Sequence, residues 1–162
     1  MSCDGGFQRN SIFLWLFDIL GTCRQDNTSH SLCNDEHSAS AIKLISALYD
    51  KISTDISLAV ICLCTFQKES LQKEFENLGW NVLVVTVDEY QTTVALSRAK
   101  HGLFVIADFE TLRCGIFWNR FICCATEFTQ IVGPEYLQVL QSGSCMRDRF
   151  GQLFVFDGSN GR

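Results

Sequence analysis

The chain has 162 residues, of which 47% are apolar, and it carries a formal net charge of −5. This length accommodates one α/β domain with a buried core, but it is too short for two domains of that size. The acidic balance argues against a free-standing nucleic-acid-binding protein, because such proteins usually present a basic face. Any contact with phosphates therefore has to come from a few local positions or from a partner domain.

Nine cysteines are scattered along the chain. No two of them form a CxxC pair, and with three histidines no two-pair zinc pattern can be laid out. An odd number of cysteines within apolar runs is typical of reduced, buried thiols in a cytoplasmic or nuclear protein. We favour this interpretation over a metal or redox site.

The first apolar segment is residues 11–20. Asp18 interrupts it, no small-residue cleavage site follows, and the run is too short to cross a bilayer as a helix. We therefore predict a buried strand over residues 12–20 and no membrane partner. A polar loop is predicted to follow, up to about His37.

Two segments further along have apolar side chains at helical spacing. They are residues 38–52 and 67–78, and Gly79 follows the second where a helix C-terminal cap belongs. In the second helix, the positions predicted to point inward are Leu71, Phe75 and Leu78.

Three short apolar runs predict strands buried on both faces, namely residues 56–63, 81–87 and 102–107. Residues 92–101 between the last two runs predict a short helix. Strands separated by helices of this length imply a three-layer α/β domain with a mostly parallel sheet. The sequence contains no Gly-rich phosphate loop and no GxxxxGK[ST] signature.

The C-terminal third is predicted to contain a helical segment after Asp108, extending to about Phe128. From Thr129 onward the pattern weakens, although residues 153–156 (LFVF) have the composition of a strand. We therefore place one domain at residues 10–128 and a weakly structured tail at residues 129–162.

Three short motifs follow one another in a fixed order. Residues 60–62 (VIC) end a strand and Gln67 opens the next helix; residues 86–91 read TVDEYQ; residues 94–103 read VALSRAKHGL. In this order they resemble helicase motifs IV, V and VI of superfamily 1B, the group that includes the nonsense-mediated-decay helicase and senataxin. The resemblance covers about residues 12–122 and concerns the second RecA-like (motor) domain of that family.

The resemblance implies a three-layer RecA-like domain of the P-loop NTPase type that works on single-stranded RNA or DNA. It also implies that ATP with Mg²⁺ is a cofactor only if a first motor domain is supplied by a partner protein. The residues that hold the nucleotide in the family belong to that first domain, and this chain begins near the first strand of the second one. We therefore expect a fragment that is not active by itself.

The resemblance assigns roles to individual residues. Arg98 matches the arginine finger, whose guanidinium stabilises the charge of a phosphoryl group in transit, and Gln91 with Arg98 belongs to the nucleotide-binding set. Thr86, Asp88 and Lys100 match positions for nucleic-acid contact. Without the resemblance, Arg98 would be interpreted as a solvated helix residue, Asp88 as a strand-end turn residue and Lys100 as a surface charge.

The chain also departs from the family pattern. Gln91 is followed directly by Thr92 and Thr93, so the family's Gly-x-Glu and about one strand with its loop are missing. Leu63 and Cys64 stand where the family has Pro-Tyr, which removes an aromatic ring able to stack on a base. The loss of a strand is expected to expose backbone ladder groups or to force a rearrangement of the sheet.

Two further interpretations stay open. The chain is a helicase-derived, non-catalytic module that binds protein or RNA in RNA-surveillance or small-RNA pathways, or it is a small nucleotide-binding protein of flavodoxin-like form. The second ranks lower because no phosphate loop follows any predicted strand.

Overall fold

The computed structural model of the protein describes residues 13–49, 51–52, 56–87, 89–142, 146–147 and 153–154. Within these ranges, none of the helices combines the length and the apolar composition that a membrane span requires.

The described chain begins with a strand and a hairpin. Strand β1 (Phe13–Asp18) lies inside the predicted run, and β2 (Cys23–Gln25) pairs antiparallel with β3 (Leu32–Asn34). This hairpin occupies much of the segment that was predicted to be a loop. Its turn is closed by Asp26, whose carboxylate accepts hydrogen bonds from the backbone N–H and the hydroxyl of Ser29 at 2.6 and 2.8 Å. The prediction failed here because short strands of mixed polarity carry no alternating pattern.

Helix α1 (Asp35–Tyr49) begins three residues earlier than predicted. Asn34 precedes it, and its Oδ1 accepts the backbone N–H of His37 at 3.1 Å, as a helix N-cap does. Asp35 and Glu36 lie in the first turn, where negative charge is favourable because it faces the positive end of the helix dipole.

The central elements are β4 (Ala59–Cys62), α2 (Thr65–Asn77), β5 (Leu83–Thr86) and α3 (Glu89–Leu96).

The two central strands are shorter than predicted, and they are not buried on both faces. Leu83 is 61% exposed, whereas its neighbour Val84 is 8% exposed. Helix α2 buries Leu71 and Phe75 as predicted, but Leu78 is its C-cap residue and is 47% exposed. Gly79 follows with φ of +68°, the left-handed conformation that the predicted C-terminal cap requires.

The remaining elements are β6 (Gly102–Ala107), α4 (Phe109–Leu112), α5 (Ile116–Ala125), β7 (Ile131–Val132), α6 (Glu135–Ser142), β8 (Met146–Arg147) and β9 (Leu153–Phe154).

Strand β6 has the predicted bounds. Residues 131–142 fall in the segment that was predicted to be weakly structured, yet they form β7 and α6. Val132, Leu137 and Leu140 from these elements are 6%, 2% and 4% exposed. Their burial explains why this segment forms a strand and a helix, because its apolar side chains pack against one face of the sheet.

The main sheet has the strand order β6-β1-β7, and both pairings are parallel. Alternate residues of β1 face opposite sides of it. Phe17 packs in a core cluster with α1 and α6, whereas Leu16 packs in a second cluster with α4 and α5. Helices therefore cover both faces of this sheet.

A second parallel sheet consists of β4 and β5. Its core is shared with α1 and α2 and contains Cys62, Leu71, Phe75 and Val84. Among the described residues, no strand pairing joins this sheet to β6. The protein is thus mixed α/β with parallel sheets, as predicted, but the parallel strands form two separate pieces rather than one sheet.

Candidate functional site

The residues assigned by the family resemblance lie between β5 and β6. Thr86 is the last residue of β5 and is exposed, and Gln91 is an exposed residue of α3. Arg98 lies in the turn after α3, and Lys100 lies in the bend before β6; both are exposed. Asp88 lies outside the described residues.

Arg98 is not on a helix, which corrects the expectation for residues 92–101. Helix α3 begins earlier and ends at Leu96. Ser97 closes its last turn, because its hydroxyl donates a hydrogen bond to the carbonyl of Val94 at 2.7 Å. The backbone N–H of Arg98 then donates to Ala95 at 3.2 Å, in the tighter geometry of a turn. A serine that hydrogen-bonds the preceding backbone favours such a helix end.

The positive charge of Arg98 is not neutralised within the described part of the chain. The ion pair found there joins Arg24 to Asp35 with an N–O distance of 2.6 Å. No described carboxylate lies within ion-pair distance of Arg98 or of Lys100.

The structure does not bring all the predicted residues together. Helix α3, which contains Gln91 in its first turn, separates Thr86 from Arg98, and its eight residues span about 12 Å. Within α3, Thr92 is 2% exposed and holds the helix against the protein. Thr86 and Arg98 thus occupy different ends of one segment.

Two shallow depressions are formed by described residues, one between α5 and β7 at Thr126 and Ile131, the other beside Trp80 and Val82. Neither includes a residue assigned by the resemblance. The described residues also contain no cluster of three His, Cys, Asp or Glu side chains that could hold a metal ion.

Gln67, quoted above for motif IV, has a structural role. Its Oε1 accepts the backbone N–H of Asn34 at 2.7 Å, and its Nε2 donates to the carbonyl of Asn34 at 3.3 Å. The same Nε2 also donates to the hydroxyl of Ser38. Nearby, the backbone N–H of Phe66 donates to Ser31 Oγ at 3.0 Å. We call these residues the hairpin–helix network: Ser31, Asn34, Ser38, Phe66 and Gln67.

The hairpin–helix network was not foreseen from the sequence as a unit. One signal was present, because Asn34 followed by Asp35 and Glu36 has the pattern of a helix N-cap. The long-range partner Gln67 could not be found from periodicity, since it lies 33 residues away.

Further polar contacts fix the carboxyl ends of β1 and β6. Asp18 Oδ1 accepts the backbone N–H of Phe109 at 3.0 Å, and His37 Nε2 lies 2.8 Å from the carbonyl oxygen of Ile19. Asp108 is the N-cap of α4. The hydrogen bond from the hydroxyl of Thr111 is the main cause that lowers the pKa of Asp108 below its usual 3.8. These carboxylates are therefore engaged in holding the fold.

The cysteines are only partly as predicted. Cys33 and Cys62 are buried, whereas Cys23, Cys114, Cys123 and Cys124 are exposed, and all of them are free thiols. Burial raises the pKa of Cys62 to about 11, which keeps this thiol protonated and unreactive at neutral pH.

Comparisons with known proteins leave the family open. No family model matches the chain, and no curated protein is significantly similar to it.

Proposed function

We propose that the chain is the C-terminal motor-domain portion of an ATP-dependent RNA or DNA helicase, and that it is not active alone. The observation that carries this proposal is the environment of Arg98. The residue is exposed between α3 and β6, within the VALSRAKHGL motif, and no described carboxylate pairs with it. A guanidinium in that position is available to the γ-phosphate of an ATP molecule held by another domain.

The architecture is compatible with this role. Parallel strands β6, β1 and β7 have helices on both faces, which is the layered arrangement of α/β nucleotide-dependent enzymes. The two depressions described above do not include Arg98. In this proposal ATP and its Mg²⁺ are bound by a first motor domain in a partner protein, with Gln91 and Arg98 approaching from this chain.

Single-stranded RNA or DNA is the proposed second ligand. Thr86 and Lys100 are exposed at the two ends of the segment between β5 and β6, and Asp88 belongs to the same proposed set. Because the whole chain has a net charge of −5, binding by the isolated protein should be weak and sensitive to salt.

The arginine finger is tested by complementation. The partner is the isolated first motor domain of a superfamily 1B helicase, and ATP turnover is measured with single-stranded RNA present. We expect the chain alone to give no turnover and the mixture to give turnover. Since an arginine finger supplied in trans accelerates hydrolysis on the order of a thousandfold or more, Arg98→Ala should abolish the gain.

Arg113→Ala is the matched control, because Arg113 is also an exposed arginine in a turn after a short helix. It should leave the increase in ATP turnover unchanged. If both variants lost the increase in turnover equally, or if the increase persisted in Arg98→Ala, Arg98 would not be the arginine finger.

The nucleic-acid contact is tested by fluorescence anisotropy with a labelled single-stranded RNA. Lys100→Ala should weaken binding and reduce the slope of log affinity against log salt by about 0.7, the value for one phosphate contact. Lys73→Ala is the control, since Lys73 is exposed on α2, far along the chain from the motif. Identical slopes in wild type and Lys100→Ala would exclude the phosphate contact.

A second candidate function is a helicase-derived, non-catalytic module that binds protein or RNA. The separation of the parallel strands into two sheets favours it, because a motor domain has to transmit force through a continuous core. Absence of complementation together with RNA binding that is independent of Arg98 would support this alternative.

A further inference from the structure

The C-terminal end of α2 is closed by a turn that holds Trp80 against the helix. Gly79 has a φ of +68°, and its backbone N–H donates to the carbonyl of Glu76 at 3.1 Å. The backbone N–H of Trp80 donates to the carbonyl of Phe75 at 2.9 Å. These two hydrogen bonds form a Schellman motif, in which the residue after the glycine packs on the last turns of the helix. The ring centroids of Trp80 and Phe75 accordingly lie 6.0 Å apart.

The depression beside Trp80 has a volume of about 320 Å³, which is near the lower limit for ligand-binding pockets. Tyr49 stacks on the Trp80 ring with a centroid distance of 5.4 Å and an interplanar angle of 21°. Because Tyr49 does not line the depression, it supports the ring from the protein side. The lining combines the aromatic ring of Trp80 with the apolar side chain of Leu83 and the polar side chains of Gln72 and Glu76. A ligand that fits these walls has both an apolar and a polar part.

The last turn of α2 has negative electrostatic potential. Glu74 and Glu76 both lie in this turn, and the carbonyl end of the helix dipole adds negative partial charge. The turn contains no basic residue, and no described lysine or arginine lies within ion-pair distance of Glu76. Carboxylates at the C-terminal end of a helix are unfavourable unless a cation compensates them. This end of α2 therefore favours a positively charged ligand.

The carboxylate of Glu76 is only partly engaged within the described part of the chain. Gln72 Nε2 donates a hydrogen bond to Glu76 Oε1 at 3.0 Å, which orients the carboxylate. None of the described residues donates a hydrogen bond to Glu76 Oε2. One oriented carboxylate oxygen in the lining is thus left as an acceptor for a ligand.

We propose that this depression binds the side chain of an arginine in a partner polypeptide. A guanidinium group stacks on aromatic rings and donates hydrogen bonds to carboxylates, which Trp80 and Glu76 provide here. Its aliphatic stem matches Leu83, which lines the same depression and is 61% exposed. An ammonium group is a poorer match, because it is compact and strongly hydrated. Nucleic acid is disfavoured at this site, since its phosphates would approach Glu74 and Glu76.

The arginine site is tested by NMR titration of the full chain with a short capped peptide of glycine and valine that has one central arginine. The indole N–H signal of Trp80 should shift in a saturable manner, whereas that of Trp118 on α5 should not. The same peptide with citrulline in place of arginine has nearly the same shape but no charge, so it should give no saturable shift. Equal shifts with the two peptides, or equal shifts at Trp80 and Trp118, would overturn the proposal.

The role of the carboxylate is tested in the same titration with Glu76→Gln, an exposed position at which the change preserves side-chain volume. The dissociation constant should rise roughly twofold to fivefold, the range expected for an exposed ion pair. Glu69→Gln is the matched control, because Glu69 is exposed on the same helix and does not line the depression. An unchanged affinity in Glu76→Gln, or an equal loss in Glu69→Gln, would reject Glu76 as the partner and with it the proposed site.

The source of the cation is tested with free argininamide. It should bind more weakly than the peptide, because it lacks the neighbouring residues that contact the rim at Leu83. Equal affinity would assign the site to a small cationic molecule and would reject a polypeptide partner. None of these measurements involves ATP or nucleic acid, so their outcome is independent of the helicase function.

Discussion

The hairpin–helix network and the segment between β5 and β6 use polar residues in opposite ways. In the network, Gln67 is held by three hydrogen bonds to Asn34 and Ser38. In the segment, Arg98 and Lys100 are exposed cations without a described carboxylate partner. The difference shows that a residue of a sequence motif can be engaged in hydrogen bonds within the protein or can be exposed to solvent and ligands. The tertiary contacts of the residue, rather than the motif, determine which of these two roles it has.

The same contrast holds for two arginines. Arg24 donates two hydrogen bonds of 2.6 Å to Asp35 and its guanidinium lies 5.4 Å from the ring centroid of Phe66. It is therefore occupied by intramolecular partners, whereas none of the described carboxylates pairs with Arg98.

The largest expected effect is in the core beneath the network. Phe75 on α2 is 1% exposed, so Phe75→Ala leaves a cavity and should lower the free energy of unfolding by about 3–5 kcal/mol. Leu78→Ala at the exposed end of the same helix should cost under about 0.5 kcal/mol. Urea unfolding followed by circular dichroism measures both. Similar losses in the two variants would mean that α2 is not packed as described.

The next effect concerns the network itself. Gln67→Ala removes the partner of the Asn34 backbone groups and should cost about 1–3 kcal/mol, since buried polar groups are left unsatisfied. Gln72→Ala is the control, because its amide donates to Glu76 on the exposed face of α2, at 3.0 Å. If Gln67→Ala proved as mild as this control, Gln67 would be free to serve a ligand, and the contrast between the two regions would fail.

Arg98→Ala should leave stability nearly unchanged, within about 0.5 kcal/mol, because the side chain is exposed and has no described ion-pair partner. The measurement is the same urea titration, with and without the complementing helicase domain. A large loss of stability in the isolated chain would show that Arg98 has a structural partner after all.

The smallest effect is the pH dependence of the Arg24–Asp35 pair. The hydrogen bond from Arg24 lowers the pKa of Asp35 below its ordinary value of 3.8. A carboxyl whose pKa is lowered on folding stabilises the protein above its unfolded pKa, and this contribution is lost as pH falls through the folded pKa. The stability difference between wild type and Asp35→Asn should therefore be small at pH 7, since the pair is exposed and screened by solvent, and should decline further as the pH falls below ~4 and through the folded pKa of Asp35. An increase of the difference in acid would contradict this assignment.

Much of the local structure was predictable from patterns that lie within one element. The apolar run at 102–107 predicted the bounds of β6 because every residue in it is compatible with a strand. Gly79 predicted the end of α2, since glycine adopts the positive φ of a C-terminal cap without strain.

The candidate site was predictable only as a set of residues. The motifs placed Thr86, Gln91, Arg98 and Lys100 in one segment, but they did not show that Arg98 lies in a turn beyond α3. The end of that helix depends on the hydrogen bond of the Ser97 hydroxyl and on the position at which β6 begins. Helical periodicity does not show which of these two features sets the last residue of the helix.

The sequence by itself determined the alternation of helices and strands, the parallel pairing this implies and the exposed basic positions of the VALSRAKHGL motif. The tertiary structure decided three other matters: the packing of α6 against the main sheet, the engagement of Gln67 by Asn34, and the separation of β4 and β5 from β6. The reason is physical. Periodicity records which face of an element is apolar, whereas strand neighbours and polar partners depend on contacts between residues far apart in the chain.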